Sequence, residues 1–145
     1  MSGFLNLPTE LACEIVGRWL CLKDVVRLDS AFCHSENRND LHESVFQSPL
    51  CIVAIAHPHS LLVPAIFTWV LTKCIRLSTL HVRKGASFDN CEDYLQRFGG
   101  TVHSVALSRC WDKSVLSMTL VARHCTNLCD LTMFYCDLSF CVDIL

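Results

Sequence analysis

Seven histidines and eleven cysteines are the residues of this sequence best suited to chemistry, as metal ligands, as a general base or as a nucleophile. A structural zinc site takes its ligands in closely spaced pairs. The nearest groupings are Cys33-His34, His57-Pro58-His59, His124-Cys125 with Cys129, and Cys136 with Cys141. None has the spacing of a finger, and no CxxC pair occurs. A cysteine nucleophile with a histidine base depends on spatial arrangement, which spacing alone does not supply. HExxH, GxSxG, a Gly-rich phosphate loop and a repeated acidic metal frame are missing from the sequence, so the expectation is a protein with no catalytic residues, no metal and no cofactor.

The elements that would position any site are a better guide. The 145 residues are 52% hydrophobic, enough for a core of ordinary single-domain size. With 12 Lys and Arg against 14 Asp and Glu, and no long run of either sign, the expected partners are proteins, not nucleic acid. The odd cysteine count and the lack of a leader pattern suggest a reduced cytoplasmic or nuclear setting, in which free Cys behaves as a small apolar residue. Residues 50 to 72 carry no Lys, Arg, Asp or Glu and have the length of a membrane span. His57, Pro58, His59 and Ser60 fall in their middle, which favours two buried elements joined by a turn over a span.

At the start of the chain, Pro8 suits a first helical turn and Glu10 suits its positive end. Leu11, Ile15 and Trp19 recur at helical spacing, with Trp19 expected in the core. Asp24 is the expected N-cap of a second helix carrying Val25, Leu28 and Phe32, and a third short helix around Leu41, Val45 and Phe46 ends before Pro49. Two short helices with wide apolar faces cannot cover each other completely.

The stretch LPTELACEIVGRWLCLKDVVRLDSAFC resembles the F-box: Leu-Pro-x-Glu, an Ile five residues after the Glu, a Leu closing the first helix, then Asp-Val and a Leu. The resemblance covers roughly residues 5 to 46. It implies that Leu7, Pro8, Leu11, Ile15, Leu20, Val25 and Leu28 form or support a docking face for the adaptor protein of a cullin-RING (SCF-type) ubiquitin ligase.

The downstream half repeats itself. Leu77, Val102 and Leu128 are 25 and 26 residues apart, and the same offsets carry Leu80 to Val105 to Leu131 and Val82 to Leu107 to Met133. Cys110 and Cys136 are equivalent. The LxxLxL frame resembles the cysteine-containing leucine-rich repeats. Cys91, Leu95 and Phe98 mark a return helix stopped by Gly99-Gly100, and Leu120 and Val121 belong to a second. The resemblance implies that Cys110, Cys125 and Cys136 lie inside and that Thr79, His81, Arg83, Ser104, Ala106, Ser108, Asp130, Thr132 and Phe134 present a concave face to a target protein. Phe140, Val142, Ile144 and Leu145 are candidates for a makeshift cap on the last unit.

The expected fold class is therefore α/β: a short F-box-like helical module at 5–48, a buried helical connector at 49–74, and a fragment of a leucine-rich-repeat solenoid at 75–145, with a strand and a helix per repeat. The expected function is non-catalytic, bridging a ligase adaptor to an unknown target. The alternatives are a scaffolding protein whose first helices only cap the solenoid, and a membrane-associated protein anchored by residues 50–72.

Overall fold

The computed structural model describes residues 4–33, 37–54, 64–83, 91–108 and 118–135. Over these residues the protein is a mixed α/β structure with six α-helices and two small parallel sheets.

Helix α1 (Thr9–Glu14) starts directly after Pro8, whose extended backbone ends the incoming chain while its carbonyl takes the N–H of Ala12 at 3.0 Å. It continues as a wider, π-type turn over Ile15–Trp19. Helix α2 (Leu22–Ala31) is capped by Cys21 and not by Asp24: Cys21 holds the extended conformation of a cap, and Asp24 sits in the first turn. The Cys21 thiol donates to the Asp24 carboxylate at 3.0 Å, which holds that carboxyl below its ordinary pKa. Helix α3 (Arg38–Leu41) runs on through a second π-type turn at His42–Phe46. The three helices close on Ala12, Cys13, Val16, Leu22, Val25, Phe32, Leu41, Val45 and Phe46, which join one continuous core with the rest of the chain.

The connector is only partly helical. Ile52–Val53 forms a strand, β1, and Pro64–Thr72 forms helix α4. Ile and Val favour the pleat, and the two pair in parallel with β2 (Arg76–Leu77). The expected turn at residues 57 to 60 lies outside the described residues. Among the described residues no helix is long and apolar enough to cross a membrane. Helix α4 ends in a Schellman motif: Ile75 N–H reaches Val70 O at 3.0 Å, Cys74 N–H reaches Leu71 O at 3.1 Å, and Cys74 takes a left-handed φ of 57°.

Strands β3 (Thr79–Arg83), β4 (Ser104–Ser108) and β5 (Asp130–Phe134) form the second sheet, all parallel and in that order. Their register pairs Leu80 with Val105 and Leu131, and Val82 with Leu107 and Met133, at the offsets read from the sequence. Parallel strands need a long crossover. Helix α5 (Cys91–Phe98), followed by a 3-10 turn at Gly99–Thr101, lies in the first, and helix α6 (Met118–His124) lies in the second.

Main-chain hydrogen bonds link one unit to the next. Ala54 N–H reaches Gly17 O, Ser78 N–H reaches Val53 O, His103 and Ser104 both reach Ser78 O, and Cys129 and Asp130 both reach His103 O, all at 2.8 to 3.1 Å. The ladder thus begins a unit earlier than the repeat frame shows, at Cys51 to Ala54, and runs into the end of the first helix. Gly17 carries one of the last carbonyls of that helix, which has no partner inside it and is free to take the N–H of Ala54.

Candidate functional site

The helical face is built by α1, its π-type extension and α2. Ala12, Cys13, Val16 and Gly17 turn inward. Gly17 backs so closely onto β1 that a Cβ there would lie 2.7 Å from Ile52 O. The opposite stripe remains uncovered: Leu11 is 43% exposed, Ile15 is half-buried, and Trp19 is 72% exposed, contrary to its expected place in the core. Trp19 is excluded because the π-type turn ends there and β1 already occupies the inner side. Pro8 is exposed, and Leu7, Leu20 and Leu28 are half-buried. Val25 is fully buried, so it can support this face but not touch a partner. Beside the stripe, Phe4, Leu7, Ala12, Val45, Thr9 and Asp40 line a depression of about 330 Å³ between the first residues and α3.

A buried carboxylate fixes how α2, α3 and α4 meet. Asp29, 4% exposed, takes the Trp69 indole N–H at 3.3 Å on Oδ2, Arg38 Nη2 at 3.3 Å on the same oxygen, and Lys73 Nζ at 3.6 Å on Oδ1. Two cations and an indole offset the cost of withdrawing the charge from water. Trp69 is half-buried as part of this cluster. The cluster was not anticipated, although one signal was present: Asp29 falls four residues after Val25 and three before Phe32, on the buried stripe of α2, where a carboxylate needs partners.

The sheet face brings most of the predicted target-binding positions together. Thr79, Ser104 and Asp130 stand in one row across the strands, His81, Ala106 and Thr132 in the next, and Arg83, Ser108 and Phe134 in the third. Ser104 Oγ donates to Asp130 Oδ2 at 3.0 Å. Asp130 and Phe134 are exposed, and Thr79, Ser104, Ala106, Ser108 and Thr132 are half-buried. His81 differs from the expectation: it is buried, with Nε2 2.9 Å from Ser108 Oγ, and is not a first contact for a partner. Among the described residues, His81 Nδ1 is buried with no hydrogen-bond partner, so within them no third group orients the ring of this serine-histidine pair.

The cysteines are mostly packing groups. Cys13, Cys51, Cys91 and Cys125 are buried, and Cys33 and Cys129 are exposed. Burial pushes the Cys51 thiol up to about 12, with Cys13 beside it adding to the effect, and pushes Cys91 up to about 12, with Cys125 adding to it. Cys125 is raised as well, again by burial. Such thiols stay protonated at neutral pH and are poor nucleophiles and poor ligands. Among the described residues no three His, Cys, Asp or Glu side chains stand together as a metal site. Cys110 and Cys136, Trp111 and the candidate cap at residues 140 to 145 lie outside the described residues.

No family model matches this sequence, no curated protein matches it, and no solved structure matches it.

Proposed function

We propose that the protein is a bridging subunit of an SCF-type ubiquitin ligase, with a helical module that docks on the adaptor and a leucine-rich-repeat array that presents a face to a target protein. The observation that carries this reading is the uncovered stripe Leu11-Ile15-Trp19, with Pro8 at its start, on a helix whose other side is already packed against β1. A helix that only capped the sheet would need one apolar face. This one has two, and the second has nothing in the described residues to cover it.

Capping and docking are therefore compatible here. Gly17 and Val16 close the first strand, while Leu7, Pro8, Leu11, Ile15, Leu20 and Leu28 remain on or near the surface and Val25 holds them from within. The 25- and 26-residue register supports reading β3 to β5 with α5 and α6 as successive leucine-rich repeats of a solenoid. Thr79, Ser104, Ala106, Ser108, Asp130, Thr132 and Phe134 then offer a mixed polar and apolar face to a target in the cytoplasm or nucleus. Nothing in this arrangement requires catalysis or a cofactor.

The test is a pull-down of the purified chain with the ligase adaptor. Wild type should be captured, and a Leu7→Ala, Pro8→Ala double variant with an unchanged circular dichroism spectrum should not. Failure of well-folded wild type to bind rejects the ligase reading and leaves the scaffolding one.

A further inference from the structure

Among the described side chains the cations are of three kinds. Arg18, Arg27, Arg38 and Lys73 each stand within ion-pair distance of a carboxylate, whereas Lys23 and Arg123 are exposed, with no hydrogen bond or ion pair there to order them. Arg76 and Arg97 are held in place, but by no carboxylate. Their guanidinium carbons lie 5.5 and 5.0 Å from the centre of the Phe98 ring, and stacking of this kind fixes the direction of each group. Arg76 gives Nη1 to the carbonyls of Gln47 and Ser48, both at 2.9 Å, and its other N–H groups have no acceptor among the described residues. Arg97 follows Asp93 by one helical turn, the spacing of an ion pair, but turns instead to Cys74 and donates from Nη2 to Sγ at 3.1 Å. A thiol is a weak acceptor, so this guanidinium is ordered without being neutralised.

Both arginines lie where helices end and strands begin. The connections at that end, residues 46–52, 72–76, 98–104 and 124–130, are all described, and none of them covers Arg97, which is exposed. The turn whose Ser48 carbonyl takes Arg76 also carries Leu50, which is 60% exposed. We propose that Arg97 and Arg76, with Leu50, dock an acidic segment of a partner protein, a Glu or Asp next to an apolar residue. The carboxylate accepts from N–H groups of Arg97 that the thiol leaves free, and Arg76 adds its charge and its unused donors. Because both forks are already stacked, little side-chain freedom remains to be lost on binding. The apolar side chain beside two cations suits a peptide segment better than a free inorganic anion. This surface shares no residue with the helical docking face or with the target-facing strand positions, so it does not depend on the ligase reading.

Fluorescence anisotropy tests the proposal, with the whole chain titrated at about 50 mM salt into a labelled peptide of three Glu-Leu repeats or into the same peptide with Gln for Glu. The acidic peptide should bind wild type about tenfold more tightly or better than the neutral one. Arg97→Glu should abolish that preference, and Arg97→Gln stands in if the reversed charge disturbs the fold. Arg123→Glu makes the same change of net charge at another exposed helical position and should leave the preference in place. Equal binding of the two peptides overturns the proposal, including the case in which inorganic phosphate alone is bound. So does a preference that survives both Arg97 variants with far-ultraviolet spectra matching wild type, or one that Arg123→Glu removes equally, since binding would then follow overall charge and not this pair. Adaptor capture is unaffected in every case, so the two readings fail separately.

Discussion

In the helical module, residues 9 to 46, side chains decide how the elements meet: nine apolar residues and the carboxylate of Asp29 set three helices together. From β1 to β5 the apolar core continues, and the main chain adds a ladder of its own, carbonyls that each take one or two N–H groups from the next unit. The difference teaches where each region tolerates change. A side-chain core accepts another apolar group of similar volume but punishes an unpaired charge. A main-chain ladder is indifferent to many side chains but punishes anything that forces the backbones apart.

Glycines test the ladder most severely. A Cβ at Gly99 would lie 2.6 Å from His124 O, and one at Gly17 would lie 2.7 Å from Ile52 O, both against backbone that cannot swing aside. Gly99→Ala and Gly17→Ala should each cost about 3 kcal/mol in urea unfolding, the overpacking scale. Gly17→Ala should also loosen the junction of the two regions, seen as a lower unfolding cooperativity. Equal loss with unchanged cooperativity would mean that the regions unfold as one.

Asp29→Ala tests the side-chain region. It removes the acceptor shared by Trp69, Arg38 and Lys73, and should cost about 2 kcal/mol, less than a fully buried pair because both cations can reach water. Trp69 emission should change with it. A loss below about 0.5 kcal/mol would show that the carboxylate is no more than a tolerated charge.

Alkali compares the junction of the two regions with the interior of the second, because a buried thiol pair stands in each place, Cys13 with Cys51 across the junction and Cys91 with Cys125 beyond it. The folded pKa of Cys51 and of Cys91 is raised from 9.0 to about 12, so the unfolded chain loses these protons first. Stability should be flat below pH 9 and fall as pH rises toward 12, by about 1 kcal/mol for each thiol by about pH 9.5. Cys51→Ala and Cys91→Ala should each flatten that fall. The smallest effect is expected at the exposed pair Arg18–Glu14, 3.5 Å apart one helical turn from each other: Arg18→Ala should change stability by less than about 0.5 kcal/mol.

The register of β3, β4 and β5 was legible because every strand presents an apolar residue at the same two places, and in a stack those places must superpose. Strand β1 was not legible as an earlier unit. Two residues give no alternation to count, and Ile52-Val53 sits in an apolar run where strand and helix look alike. Asp24 was expected at the cap and Cys21 holds it, a boundary error of the size that helix ends invite. Trp19 and His81 exchanged their expected places, the tryptophan outside and the histidine inside. Local pattern does not register what is already packed against the opposite face of α1, nor that Ser108 stands beside His81 on the next strand.

The carbonyl ladder also orders the molecule in time. Ala54 is held to the helix end, Ser78 to Val53, His103 to Ser78, and Cys129 to His103. Each amide is released only when its own unit lifts away from the one before. Openings that begin at β5, the outermost strand among the described residues, would expose Cys129 first, then His103, then Ser78, and Ala54 last, so deuterium uptake by these four amides should proceed in that sequence. Among the described residues the ladder is thus graded from a slow end at the helices to a fast end at β5.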